Sequence, residues 1–87
     1  MWYVYILECE NQSLYTGVTN DLNRRLQTHK LAKGGSYTKS FGVNTLIYQK
    51  SYEVRTHAFQ REAQIKGWTR RKKLALVKGD LKLLKKL

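Results

Sequence analysis

The first nine residues place the strongest constraint on the fold. From Trp2 to Cys9 the chain is aromatic, β-branched or otherwise apolar almost throughout. Such a run is typical of a buried strand, and it is far shorter than the roughly 18 apolar residues that span a membrane. The polar residues 10–13 interrupt it, and a second short run, Leu14 to Thr19, follows. Together the two runs predict a β-hairpin with a loop of roughly three or four residues.

The register of this hairpin decides whether its tyrosines can act together. Side chains alternate between the two faces of a strand, so Tyr5 and Tyr15 share a face only if paired residue numbers sum to an even value. We predict the register that places Leu7 opposite Tyr15. A register with Cys9 opposite Leu14 would separate the two tyrosines.

The remaining segments predict helices around one further strand. Asn20 or Asp21 can cap a helix that starts at Leu22 and ends before Gly34. Thr45 to Ser51 has high β propensity. The other predicted elements are a helix over Val54 to Lys66 with Gly67 as a left-handed cap, and a helix over Arg70 to Lys78 that is capped by Thr69 and ends at Gly79. The order ββαβαα predicts an α+β fold, a small three-stranded antiparallel sheet flanked by helices.

Length and charge limit the organisation and the partner. The chain has 87 residues and a formal net charge of +11, which fits one domain over 1–79 and a basic amphipathic tail over 80–87. Residues 70–87 carry eight basic side chains and one acidic side chain. A polyanion, most often nucleic acid, is the usual partner of such a surface, and a merely solvated basic face is the alternative.

The cysteine count and the amino terminus suggest the compartment. Cys9 is the only cysteine and has no disulfide partner within the chain, and no Cys/His cluster suggests zinc. The start of the chain lacks the layout of a signal peptide. We expect a cytoplasmic monomer with no membrane segment.

The first predicted helix carries polar groups where a core helix would carry leucine. At about 100° per residue, Leu22, Leu26 and His29 fall on one stripe, with Arg25 at its edge and Arg24 on the opposite side. An arginine that reaches solvent and a hydrogen-bonded histidine would explain this arrangement structurally.

The second long helix has a similar feature in Glu62. This residue projects among Ala58, Phe59 and Ile65, and a buried glutamate is rare unless it is paired or binds a metal. A structural explanation pairs Glu62 with Arg25. A functional one takes an inward Arg, His and Glu as the set that metal-assisted phosphoryl chemistry needs.

The loop between this first helix and the third strand offers further groups to phosphates. Tyr37 and Lys39 lie in its polar, glycine-containing sequence, which is not a Walker A loop. Arg70, Arg71, Lys72 and Lys73 form a basic run that could contact a nucleic-acid backbone.

The ordered set of motifs resembles the GIY-YIG nuclease superfamily, in particular its small stand-alone bacterial members. The two name-giving tripeptides correspond to Tyr3-Val4-Tyr5 and Tyr15-Thr16-Gly17. Arg25 and His29 match the Arg-xxx-His element, and residues 58–66 resemble the segment with the metal-binding glutamate, here Glu62. Tyr3 replaces the first glycine and Thr16 the central isoleucine. The Asn that many members place beyond the glutamate has no equivalent, because the last Asn is Asn44.

The resemblance implies an endonuclease that hydrolyses DNA phosphodiester bonds with Mg²⁺ or Mn²⁺, in DNA repair or processing, with DNA favoured over RNA. Glu62 would hold the metal, Arg25 would bind phosphate, and Tyr5 would be the base, with Arg25, the metal and proton acceptance by His29 together lowering the barrier to its deprotonation. Tyr15 would position the water or phosphate, and Tyr37 and Lys39 would contact the backbone. The alternative is a non-catalytic nucleic-acid-binding module on the same scaffold.

Overall fold

The computed structural model describes residues 1–9, 12–31 and 45–86. Its elements are β1 (Trp2–Glu8), β2 (Leu14–Thr19), α1 (Leu22–Leu31), β3 (Thr45–Tyr52), α2 (Arg55–Lys66), α3 (Arg70–Lys78) and α4 (Leu81–Lys86). The predicted α+β order ββαβαα is confirmed. The predicted tail contains α4, and the Asp80 carboxylate caps this helix by accepting a hydrogen bond from the Leu83 amide at 3.0 Å.

The three strands form one antiparallel sheet in the order β2-β1-β3, so the apolar first strand is central. Leu7 pairs with Tyr15 and Tyr5 with Gly17, which confirms the predicted register. Beyond the last paired residues, the Cys9 amide donates to the Ser13 carbonyl at 2.9 Å, and the Gln12 amide donates to the Cys9 carbonyl at 2.8 Å. Gln12, just before Ser13, has a positive φ of 70°.

The core lies between one face of the sheet and α2. Val4, Ile6, Ala58 and Ile65 are fully buried and form its centre. The two helical residues are seven positions apart and therefore share a face of α2. Burial of each large aliphatic side chain contributes roughly 1.5–3 kcal/mol. In the described part of the chain, no helix is both long enough and apolar enough to cross a membrane.

Helix α2 runs alongside β1 in the same direction. Near its start, the Phe59 ring meets the Trp2 ring edge-on, with centroids 5.3 Å apart. Just beyond its end, the Arg70 guanidinium lies 3.6 Å from the Glu8 carboxylate. Glu62, which lies between these two contacts along the chain, is therefore level with the middle of β1.

The ends of α2 and α3 match the sequence prediction at Thr69 and Gly79 and differ from it at Gly67. Thr69 caps α3 by accepting from the Lys72 amide at 3.2 Å, and Gly79 ends this helix with a left-handed φ of 73°. The prediction for Gly67 was wrong, because its φ of −80° is right-handed. The turn continues past it, since the Trp68 amide donates to the Ile65 carbonyl at 2.9 Å.

Candidate functional site

The two motif tyrosines lie on the sheet face opposite the one that α2 covers. Tyr5 alternates with the core residues Val4 and Ile6, and its side chain is fully buried. The rings of Tyr5 and Tyr15 are tilted by 37° and have their centroids 6.2 Å apart. The hairpin alone therefore places two phenols next to each other.

Gly17 makes this arrangement possible because it is the cross-strand partner of Tyr5. A Cβ built on Gly17 would overlap the end of the Tyr5 ring and would lie 3.0 Å from Cε1 of Tyr15. Any side chain at this position would have to displace the phenols. Because Gly17 has no side chain, the Tyr5 ring can occupy the space beside it.

Helix α1 supplies the positive charge. Its first turn is fixed by Asp21, whose carboxylate accepts from the Arg24 amide at 3.1 Å. Four residues after this cap, Arg25 donates its Nε–H to the Tyr5 hydroxyl at 3.3 Å. The prediction that Arg25 faces the sheet is confirmed. The sequence reasoning missed that Arg24 borders the same 310 Å³ cavity as Arg25, together with Thr19, Asn20 and Asp21.

Burial and hydrogen bonding shift the pKa values of Tyr5 and Arg25 in this cluster. Burial raises the pKa of the Tyr5 phenol above its ordinary value, and the opposing effect of the Arg25 hydrogen bond is smaller. In the protein alone, Arg25 therefore does not bring the Tyr5 pKa below its ordinary value. Hydrogen bonds to Tyr5 and Tyr15 raise the pKa of Arg25, so its guanidinium stays charged.

The Glu62 side chain is largely buried, with 14% of its surface exposed. Its carboxylate pairs with Lys66 at 3.2 Å, so the predicted structural pairing with Arg25 does not form. Arg61 lies toward β3, where it borders a cavity with Tyr52. Because neighbouring helix residues are about 100° apart, Glu62 lies on the other flank of α2, toward β2.

The strand β2 is an edge strand, so the flank of α2 that carries Glu62 and the face that carries Tyr15 adjoin at its free edge. Within the described residues, Glu62 makes no hydrogen bond or ion pair with Tyr5, Tyr15 or Arg25. The structure thus brings three of the predicted catalytic residues into one cluster, and Glu62 lies on α2, which covers the other face of the sheet.

The comparisons with known proteins agree with this arrangement. The family model described as the GIY-YIG catalytic domain matches residues 1–75. The chain belongs to the GIY-YIG family. UPF0213 proteins of Staphylococcus aureus strains Mu3 and Mu50 are each 45% identical to it over 76 residues, which are 87% of this chain and 93% of theirs. A solution NMR structure of a UPF0213 protein from Bacillus halodurans is 40% identical and superposes with a TM-score of 0.59, covering 90% of this chain and 84% of that one.

The donor chemistry of the GIY-YIG domain suits a hard divalent cation at Glu62. Mg²⁺ prefers oxygen ligands and is commonly held by one or two carboxylates together with substrate phosphates. Among the described residues, no group of three His, Cys, Asp or Glu side chains gathers around one point. Lys66, whose side chain is 60% exposed, has room to leave the carboxylate. A single-carboxylate site of this kind fits Mg²⁺ or Mn²⁺ when substrate phosphate supplies further ligands.

The side chains of three predicted site residues lie outside the described part of this GIY-YIG domain. Tyr37 and Lys39 fall within residues 32–44, which the structure does not describe. The backbone of His29 belongs to α1, one helical turn after Arg25, but its side chain is also outside the described part. Their predicted roles stay predictions.

The basic run of α3 divides into different environments. Arg70 contacts the Glu8 carboxylate at 3.6 Å and donates to the Gln12 carbonyl, so it ties α3 to the hairpin. Arg71 is exposed. The Lys72 ammonium lies over the Trp68 ring at 4.5 Å from the centroid, and Lys73 is half-buried. Arg71 is the one of these four that combines exposure with no assigned contact among the described residues.

Proposed function

We propose that this GIY-YIG domain is a metal-dependent endonuclease that hydrolyses DNA phosphodiester bonds with Mg²⁺ or Mn²⁺, in DNA repair or processing in the cytoplasm. The observation that carries the proposal is the contact between Arg25 Nε and the Tyr5 hydroxyl at 3.3 Å, with the Tyr15 ring beside it. Family membership supports a nuclease-type activity.

Arg25 is assigned to the phosphate. Hydrolysis of a phosphodiester builds negative charge on the phosphoryl oxygens, and a guanidinium is a strong donor to such oxygens. The raised pKa of Arg25 keeps the charge in place over the physiological pH range. The cavity that Arg25 borders provides room for an incoming backbone.

Tyr5 is assigned as the base and Tyr15 as the group that positions the attacking water or phosphate. A phenol whose pKa is raised is protonated in the free protein, so Tyr5 must lose its proton before it can accept one from water. His29, on the same helix as Arg25, is assigned as the acceptor of that proton. A divalent metal at Glu62, when bound, would neutralise charge on the phosphoryl group.

A cleavage assay tests this assignment on duplex, nicked, branched and single-stranded DNA and on RNA, with Mg²⁺, Mn²⁺ or a chelator. We expect cleavage only with metal, and losses of about 10² to 10³ in rate for Tyr5→Phe, Arg25→Ala and Glu62→Gln. Arg24→Ala is the control and should mainly weaken binding. An equal loss of cleavage in Arg24→Ala and Arg25→Ala at saturating substrate would contradict the assignment.

The second candidate function is a nucleic-acid-binding module without catalysis. It is favoured by the ion pair between Glu62 and Lys66, which gives the carboxylate a structural partner. If no substrate is cut with either metal, and Glu62→Gln lowers only the stability, this second function is the correct one.

A further inference from the structure

A second group of cations surrounds Trp68, with Arg61 from α2 and Lys72 from α3. The guanidinium of Arg61 lies over the Trp68 ring at 5.0 Å from its centroid, and the Lys72 ammonium lies over the same ring at 4.5 Å. Arg61 also donates from Nη1 to Oε1 of Gln64 at 2.5 Å. We call Arg61, Trp68 and Lys72 the Trp68 cluster. The Trp68 ring holds the side chains of Arg61 and Lys72 in place, and the hydrogen bond to Gln64 further orients Arg61.

No carboxylate among the described residues neutralises the charges of the Trp68 cluster. Within the described residues neither Arg61 nor Lys72 forms an ion pair, and the Glu62 carboxylate is taken by Lys66. Lys73 adds a further cation on the same helix as Lys72; burial and the nearby Lys66 lower its pKa. Like charges held together without a counter-ion raise the energy of the free protein, and an anion would relieve this repulsion.

The surroundings of the cluster suit a sugar-phosphate backbone. Arg61 borders a cavity of 460 Å³ whose other lining residues are Tyr52, His57, Gln60 and Gln64. These side chains are donors and acceptors of hydrogen bonds, and such groups make most contacts to phosphate and sugar. This lining has no exposed aliphatic side chain of the kind that inserts into a membrane.

We propose that the Trp68 cluster is a second binding site for the phosphate backbone of DNA, separate from the Tyr5–Arg25 centre. The cluster lies toward β3, whereas Tyr5 and Arg25 lie on the opposite face of the sheet. It therefore holds a stretch of backbone away from the bond that is cut. The inference rests on the nucleic-acid partner of the proposed function and is independent of catalysis.

The test measures duplex DNA binding against salt concentration in the presence of a chelator, so that cleavage plays no part. The slope of log K against log salt is negative, and each lost phosphate contact reduces its magnitude by about 0.9. The double variant Arg61→Gln with Lys72→Gln should therefore reduce that magnitude by about 1.8. The matched control for the arginine is Arg55→Gln, which is compared with Arg61→Gln alone. Arg55 is on the same helix and its guanidinium also lies over a tryptophan, Trp2, at 5.3 Å.

The proposal would be overturned if the Arg61/Lys72 variant kept the wild-type salt slope. It would also be overturned if Arg55→Gln reduced the magnitude of the slope as much as Arg61→Gln does. Equal and equally salt-dependent binding of anionic lipid vesicles would also overturn it. Circular dichroism checks that both variants fold. If the glutamine variant does not, Arg61→Lys with Lys72→Arg keeps both charges, and the proposal then requires the wild-type slope. In a Trp2→Phe background, DNA binding should also change the fluorescence of Trp68.

Discussion

Gly17 lies directly opposite Tyr5 in the ladder between β1 and β2, and the phenol occupies the space that a Cβ on Gly17 would need. We predict that Gly17→Ala lowers the free energy of unfolding by about 1 to 3 kcal/mol, because the buried ring must shift. The shift also moves the Tyr5 hydroxyl away from Arg25. The cleavage rate should therefore fall by a larger factor in Gly17→Ala than in Tyr15→Phe. Urea unfolding and the cleavage assay measure the two effects.

Gly67→Ala is the control for this change. Gly67 has an ordinary helical φ of −80°, and a Cβ there would be 3.7 Å from the nearest atom, the Gln64 carbonyl oxygen. It should leave the stability unchanged or raise it by about 0.5 kcal/mol. If both alanine variants were equally stable, the packing of Tyr5 against Gly17 would not matter.

The Tyr5 phenol should make stability fall at alkaline pH. Its pKa in the folded protein is raised above the ordinary value of 10.0, chiefly by burial, so the folded state holds the proton more tightly than the unfolded state. This contribution is fully present below the unfolded pKa and is lost as the pH rises through the folded pKa. The difference in unfolding free energy between wild type and Tyr5→Phe should therefore shrink above pH 10. A constant difference across that range would show that the phenol's pKa is unchanged on folding.

Thr16 carries a buried hydroxyl. Its residue is 3% exposed, and its Oγ1 has no partner among the described residues. Thr16→Val keeps the shape and removes the unsatisfied group, so we expect the free energy of unfolding to rise by about 1 kcal/mol. The control Thr19→Val should lower it by about 0.5 kcal/mol, because the Thr19 hydroxyl accepts from the Asp21 amide at 3.1 Å. A fall in Thr16→Val would indicate a partner for this hydroxyl.

Arg70 and Arg71 are neighbours that should behave differently. Arg70 holds the hairpin through Glu8 and the Gln12 carbonyl, so Arg70→Gln should lower the free energy of unfolding, by less than about 1 kcal/mol because the pair is half-exposed. Arg71 is exposed, so Arg71→Gln should leave stability unchanged and weaken DNA binding. Thermal unfolding and a binding titration separate the two. The reverse pattern would mean that Arg70 is free to bind DNA.

Local pattern predicted much of this architecture. The apolar first strand, the parity of the hairpin register and the helical position of Arg25 each depend on residues close in sequence, and each is confirmed. The caps at Thr69 and Gly79 were predictable for the same reason.

The remaining features depend on contacts between distant segments, which no local pattern contains. The sequence could not predict that Arg70 reaches Glu8, or that Glu62 pairs with Lys66 instead of Arg25. The pKa of Tyr5 depends on how completely the fold buries its ring, and that burial outweighs the neighbouring charge. Gly67 looked like a left-handed cap because the Trp68 turn that follows it was not foreseen.

The central position of β1 has a consequence for the order of folding. This strand meets β2 across a short hairpin loop, an event that takes microseconds, but it meets β3 only when residues 45–52 return to it. Long-range closure is the slower step because more chain entropy is lost. We therefore expect the tyrosines and Gly17 to assemble in the hairpin first, and the carboxylate of Glu62 to arrive with the later unit. Pulsed hydrogen exchange should accordingly protect the amides between β1 and β2 before those between β1 and β3.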